Sequence, residues 1–240
     1  MRVFITACPS FNMKLIIRRY QVFVIIILIL LSVNINIISQ ETVIIFHPEH
    51  VKSVYRAALT FDDGPYPGYT EKLLEILDYE NIKATFFLVG KRIAEYPELA
   101  RLICSKGHEI GNHTYNHLNL TRLSRDEIFS ELNTTREIIR QSCNFDTELA
   151  RPPGGQINAR TKNIMREAGY KTVMWTILPG DHIPGKPVTD IVAKVTANVN
   201  NNDIILMHMG QEHTLKALPV IIKQLKLKKI EFVKVSELEH

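Results

Sequence analysis

Two adjacent carboxylates, Asp62 and Asp63, end a short apolar run that begins at Ala57. Neighbouring side chains of an extended chain point in opposite directions, so both carboxylates can line one site only if the strand ends there. The dipeptide Gly64-Pro65 that follows favours a turn at this point. Because such a turn frees the two carboxylates from strand alternation, we expect them to take separate chemical roles.

Two histidines, His113 and His117, follow in a segment rich in glycine and asparagine, which predicts a loop rather than a helix. One carboxylate with two imidazoles supplies three protein ligands and leaves a position open for water and substrate, which is typical of a catalytic zinc site. The remaining carboxylate could then act as a base. Each motif is weak when taken singly, since an Asp-Asp-Gly-Pro string is most often a polar turn.

Three further motifs follow in the chain. They are Arg151-Pro152-Pro153-Gly154-Gly155, then Trp175 with Asp181 six residues later, then Leu206-Met207-His208. In order and spacing the whole set resembles the polysaccharide deacetylases of the NodB-homology type, carbohydrate esterase family 4, from Tyr55 to Leu238. The resemblance implies a metal-dependent hydrolase that removes N-acetyl groups from N-acetylglucosamine-type residues of cell-wall peptidoglycan or a related polysaccharide.

The resemblance also implies a role for each residue of the first motifs. Asp62 would be the general base, and Asp63, His113 and His117 would hold a divalent metal, zinc first, with cobalt, nickel or manganese as alternatives. Arg151 would pair with Asp62 and keep its carboxylate ionised and oriented. The metal would polarise the acetyl carbonyl, and the base would take the proton of the attacking water.

On the acid side the resemblance makes His208 the general acid that protonates the leaving amine. Asp181 is the candidate for keeping it protonated, since a nearby carboxylate raises the pKa of a histidine. Leu206 would wall the pocket for the acetyl methyl group, and Trp175 is expected to contact substrate. These residues complete a site for amide hydrolysis.

Two positions depart from the family pattern. Gly154 stands where an aromatic residue is usual, although its backbone N–H, which would stabilise the oxyanion, is kept. His182 stands where the family tends to have tryptophan. It could be a substrate contact, an additional metal ligand or an exposed loop residue, of which we favour the last. These departures weaken the prediction of the substrate more than that of the chemistry.

Strand-like apolar runs alternate with helical patterns from Ala57 onward. The predicted strands are Ala58 to Phe61, Ala84 to Val89, Glu109 to Ile110, Tyr170 to Ile177, Ile204 to Met207 and Glu231 to Val235. The predicted helices are Tyr69 to Glu80, Pro97 to Ser105, Ser124 to Gln141, Ala159 to Ala168, Val188 to Asn200 and Thr214 to Leu227. This alternation indicates an α/β fold with a largely parallel sheet. Periodicity does not separate a barrel from an open sheet, and the resemblance implies a distorted, incomplete (β/α) barrel of about seven strands.

The 240 residues suffice for one catalytic domain, residues 55–240, plus an N-terminal appendage. We predict a basic cytoplasmic segment at 1–20, a signal peptide or membrane anchor at 21–39 and a lead-in at 40–54. No Ala-x-Ala site precedes a cut, so we favour an uncleaved anchor, with the catalytic domain extracytoplasmic. The net charge of +4 belongs mostly to this flank, so it gives no reason to expect nucleic-acid binding. Nothing in the sequence indicates an oligomeric state.

The three cysteines, Cys8, Cys104 and Cys143, match no zinc motif. Only Cys104 and Cys143 could pair on the exported side. Because cysteines are commonly buried in helices, we favour free thiols.

Other functions are compatible with the same residues. The chain could be a catalytically silent carbohydrate-binding protein on this fold, or an amide hydrolase of a substrate outside the wall. Two histidines and one carboxylate also describe the facial triad of non-haem iron oxygenases, although these need no base beside the ligand. The presence of both Asp62 and His208 favours the hydrolase.

Overall fold

The computed structural model describes residues 55–238. The segments predicted at 1–20, 21–39 and 40–54 lie outside these residues. Among the residues that are described, no helix combines the length and apolar character needed to cross a membrane.

The centre of the structure is a seven-stranded sheet in which every pairing is parallel. Its strands are β1 (Arg56–Asp62), β2 (Thr85–Leu88), β3 (Glu109–Asn112), β4 (Leu149–Ala150), β5 (Lys171–Thr172), β6 (Asp203–His208) and β7 (Glu231–Phe232). Their order is β5-β4-β3-β2-β1-β6, and β7 pairs with the start of β1. After β5, Ile177 pairs with Ile205 of β6 in a single isolated parallel bridge. The predicted α/β fold with a parallel, incomplete barrel is therefore confirmed as a half-barrel covered by helices.

Helices connect the strands. They are α1 (Tyr69–Tyr79), α2 (Gly90–Glu95), α3 (Pro97–Ser105), α4 (Arg125–Cys143), α5 (Ala159–Glu167), α6 (Val188–Asn198) and α7 (Glu212–Leu227). The longest, α4, begins at a capping box, in which the Ser124 hydroxyl accepts from the Glu127 N–H and the Glu127 carboxylate accepts from the Ser124 N–H. This reciprocal pair satisfies two backbone donors at the helix start.

Alternation along β1 separates the core from the site. Leu59 and Phe61 face the helices in the main apolar cluster, whereas Thr60 and Asp62 point to the other face, where Arg151 meets both side chains. The register places Leu206 of β6 beside Thr60 and His208 beside Asp62. Because side chains alternate with period two, the functional residues of both central strands share one face.

Several elements differ from the prediction. The run from Tyr170 to Ile177 forms only the two-residue β5 and the isolated bridge, while β4 and α2 were not predicted at all. A two-residue strand is too short to show a period, so its presence is decided by pairing with its neighbours.

The expectation of free thiols is wrong. Cys104 and Cys143 form a disulfide with Cα atoms 5.9 Å apart. The two cysteines lie at the ends of α3 and α4, which pack side by side. Because 39 residues separate them in the sequence, their spacing does not reveal that they are neighbours in the fold.

Candidate active site

Asp63, His113 and His117 converge at the ends of β1 and β3. Asp63 has a φ of 82°, a left-handed conformation that turns its carboxylate away from the strand direction of Asp62. Its Oδ1 lies 3.5 Å from the Nε2 of His113 and 3.1 Å from the Nε2 of His117. The Nδ1 of His113 lies 2.8 Å from the carbonyl oxygen of Arg151, a contact that leaves Nε2 free as a ligand. One carboxylate oxygen and two imidazole nitrogens are therefore suited to a divalent cation.

The electrostatics of this triad keep the carboxylate ionised. Burial would raise the pKa of Asp63, but hydrogen bonds and charge interactions with His113 and His117 outweigh it and hold that pKa far below its usual range. The hydrogen bond that His117 donates to Asp63 raises the pKa of His117 in turn, against the effect of burial. A charged oxygen is thus available between the two rings.

Two residues that the sequence analysis missed hold the loop from His113 to His117. The buried carboxylate of Glu131 on α4 accepts hydrogen bonds from the backbone N–H groups of Tyr115 and Asn116, at 2.8 and 2.7 Å. The side chain of Asn112 accepts from the backbone of Thr114 at 2.8 Å. Glu131 is recognisable only as an acid on the apolar face of an amphipathic helix, a signal that does not say what it binds.

Asp62 forms the predicted pair with Arg151, with Nη1 2.7 Å from Oδ1. The guanidinium is fully buried, and the same Nη1 also donates to the Thr60 hydroxyl at 2.8 Å. Its Nε and Nη2 donate to two backbone carbonyl groups. The guanidinium carbon, Cζ, lies 4.1 Å from the ring centre of Phe87. The second oxygen of Asp62 faces the triad, 3.7 Å from the Nε2 of His113. Arg151 therefore fixes one carboxylate oxygen and leaves the other directed at the site.

Asp181 and His208 form the second predicted pair, with the Nδ1 of His208 3.0 Å from the Oδ1 of Asp181. The Oδ2 of Asp181 accepts from the backbone N–H of His208 at 2.7 Å and from the Thr214 hydroxyl at 2.6 Å. Burial would lower the pKa of His208, but the hydrogen bond and the charge of Asp181 outweigh it and raise that pKa. Burial would raise the pKa of Asp181, but the hydrogen bond and the charge interaction with His208 outweigh burial and lower that pKa. The pair favours a protonated imidazole next to an ionised carboxylate.

A cavity of about 190 Å³ joins these groups. Its lining residues are Asp62, Asp63, His113, His117, Gly154, Trp175, Leu178, His182, Leu206 and His208. Every residue predicted to bind metal or substrate contributes to it. Arg151 and Asp181 do not line it, and each stands behind the residue that it contacts. They are positioning residues in this arrangement.

Gly155 is a further position that the sequence analysis did not assign. A Cβ added there would lie 2.5 Å from the Trp175 indole, whereas one at Gly154 would meet only the Gln156 side chain at 3.8 Å. Gly155 thus allows Trp175 to pack against the 151–155 motif. At Gly154 there is space for a side chain, but the φ of 59° disfavours one.

Known proteins resemble this chain over most of the residues that the structure describes. The family model described as polysaccharide deacetylase matches residues 51–173, about half of the chain. A peptidoglycan-N-acetylglucosamine deacetylase of Bacillus cereus is 38% identical over 185 residues, which cover 75% of this chain and 86% of that protein. The chain belongs to the polysaccharide deacetylase family.

Solved structures match over a similar range. The peptidoglycan deacetylase PdaC of Bacillus subtilis superposes with a TM-score of 0.72 and 33% identity, covering 77% of this chain and 90% of that one. A carbohydrate esterase family 4 pseudoenzyme of Bacillus anthracis matches with a TM-score of 0.72 and 30% identity, covering 78% and 66%. Some curated relatives are longer, and the chain spans as little as 38% of their length.

Proposed function

We propose that this protein is a metal-dependent hydrolase that removes N-acetyl groups from N-acetylglucosamine-type residues of peptidoglycan. One observation carries the proposal: a candidate general base, Asp62, and a candidate general acid, His208, line the same cavity. Asp62 is paired with Arg151, and His208 is paired with Asp181. The names of the relatives supply the substrate class.

The metal would be held by Asp63, His113 and His117, whose ligand atoms converge within 4.8 Å of one another. Zinc suits one carboxylate and two imidazoles, and cobalt, nickel or manganese are alternatives. When bound, the ion supplies Lewis-acid chemistry that polarises the acetyl carbonyl.

The residues of the chain carry the protons. Asp62 accepts a proton from water as the water oxygen bonds to the acetyl carbon, and Arg151 keeps the carboxylate oriented. His208 gives its Nε2 proton to the amine nitrogen as the carbon–nitrogen bond breaks, so the products are acetate and the free amino sugar. The Gly154 N–H is the candidate donor to the developing oxyanion, and Leu206 walls the methyl group.

We place the catalytic domain, residues 55–240, outside the cytoplasm, with residues 21–39 as its signal peptide or anchor. The Cys104–Cys143 disulfide supports this location, because disulfides persist in oxidising compartments and are rare in the cytosol. The positive flank at Arg18 and Arg19 supports the same orientation.

The experiment measures acetate released from peptidoglycan and from neutral N-acetylglucosamine oligomers by the full-length chain, stripped of metal and then restored with zinc. Asp62→Ala should abolish release, and Asp126→Ala, at an exposed position on α4, should not change it. Zinc-dependent release that survives in Asp62→Ala would refute the assignment of the base.

A family pseudoenzyme is among the similar structures, so a protein without catalytic activity is the alternative outcome that the experiment must detect. No acetate from either substrate, together with retained binding to peptidoglycan, would favour a carbohydrate-binding protein. Release from small acetylated amines alone would indicate an amide hydrolase that acts outside the wall.

A further inference from the structure

A second group of potential ligands lies at the same cavity, to which two of its members, His182 and His208, contribute. Asp181, His182 and His208 also place their ligand atoms within 4.8 Å of one another. The Oδ1 of Asp181 lies 3.0 Å from the Nδ1 of His208 and 3.9 Å from the Nδ1 of His182. We call these three residues the Asp181 cluster.

The Asp181 cluster repeats the geometry of the Asp63 triad. The rings of His182 and His208 have centres 4.7 Å apart and planes inclined at 59°. Those of His113 and His117 have centres 4.9 Å apart and planes inclined at 58°. In each group a single carboxylate oxygen lies between two imidazoles. Two zinc ligands at tetrahedral angles and bonds of about 2.0–2.1 Å stand roughly 3.4 Å apart. The oxygen–nitrogen distances, 3.0 and 3.9 Å in the Asp181 cluster and 3.1 and 3.5 Å in the Asp63 triad, lie close to that value.

The burial and hydrogen bonds of Asp181 direct its free oxygen to the histidines. Oδ2 is held by the backbone of His208 and by Thr214, which leaves Oδ1 to face the two rings. Within residues 55–238 the ion-pair partners of Asp181 are these two histidines alone. His182 is 43% exposed and also borders a neighbouring surface groove, so an ion can reach the cluster from solvent.

We propose that Asp181, His182 and His208 form a second, weaker site for a divalent cation of the zinc class, and that its occupancy inhibits the enzyme. The cation would take the Nδ1 of His208, releasing the Nδ1 proton to solvent and replacing the hydrogen bond to Asp181. Its affinity would be the lower of the two because that proton and hydrogen bond must be given up. The inhibitory consequence rests on the proposed function, whereas the binding site does not.

Metal stoichiometry tests the site without any activity measurement. Equilibrium dialysis of the untagged, full-length chain against zinc should give two bound equivalents, and His182→Phe, which keeps a ring without a ligand atom, should give one. His117→Phe should lose the tighter equivalent and keep the weaker one. The double variant should bind neither, and His213→Phe, a histidine of α7 outside both groups, should keep two.

A single equivalent in the wild type, or two in His182→Phe, would overturn the proposed site. Circular dichroism melts of every variant exclude unfolding as the cause of a lost equivalent. If His182→Phe fails to fold, His182→Gln, which removes the imidazole and keeps a polar side chain, replaces it in the same series.

Activity tests the inhibition. Acetate release should rise with the first zinc equivalent and then fall by about 100-fold as the second site fills, the scale of a lost general acid. In His182→Phe the ratio between one equivalent and excess zinc should stay within about twofold. An equal fall in both proteins would refute the inhibitory role. If neither protein releases acetate, the proposed function fails, and the dialysis series still decides whether the second site exists.

Discussion

Replacing Asp181 by asparagine should make His208 a poorer acid at neutral and alkaline pH. The carboxylate lies 3.0 Å from the Nδ1 of His208 and raises its pKa, so the imidazolium persists to higher pH than it would alone. An amide of the same shape removes the charge. The protonated form of His208 is then lost at lower pH, and the alkaline limb of the kcat profile should move to lower pH.

The magnitude follows from the buried hydrogen bond. A hydrogen bond to a charged group contributes about 1.5–3 kcal/mol, which corresponds to roughly ten- to a hundredfold in rate. We expect the rate of Asp181→Asn to fall by this factor at pH values above the pKa that His208 has in the variant. At acidic pH, where His208 is protonated in the variant and in the wild type, the two rates should approach each other. The loss should therefore depend on pH.

The assay is acetate release from peptidoglycan at saturating substrate and one equivalent of zinc, measured across pH. Thr214→Val is the matched control, because it removes one 2.6 Å hydrogen bond to Asp181 but keeps the charge. It should change the profile far less. A loss in Asp181→Asn by the same factor at every pH would show that Asp181 does not act through the protonation of His208.

Two further predictions concern the support of the site. Glu131→Gln should weaken zinc binding by roughly tenfold or more in equilibrium dialysis, because an amide cannot accept all the hydrogen bonds that hold the ligand loop. The exposed Glu137→Gln on the same helix should bind as the wild type does, and equal affinities in both variants would contradict this role. Replacing Cys104 and Cys143 together by serine should lower the free energy of unfolding by up to about 4 kcal/mol in urea titrations, the loop-entropy value for a separation of 39 residues. A loss below about 1 kcal/mol would mean that α3 and α4 hold their ends together without the covalent bond.

The central strands and the residues at their ends could be read from the sequence because the relevant signals are local. Six of the helices and the start of α4 at Ser124 follow from apolar periodicity and capping, which act within a few residues. The face shared by Leu206 and His208 follows from strand alternation. Weaker elements such as β4 and α2 lack a period of their own, and contacts with neighbouring strands and loops determine them.

The features of the site likewise fall into those that the sequence predicts and those that only the structure shows. The sequence by itself determined which groups are available: a carboxylate pair at a turn, two histidines in a loop, an arginine before two prolines and a histidine at a strand end. Only the tertiary structure decided how Glu131 holds the ligand loop, why Gly155 must lack a side chain and that Cys104 bonds to Cys143. It also decided that His182 stands beside His208 rather than merely in an exposed loop. Residue type and local spacing determine which chemical groups are available. The contacts named above join residues far apart in the chain, so they exist only in the folded structure.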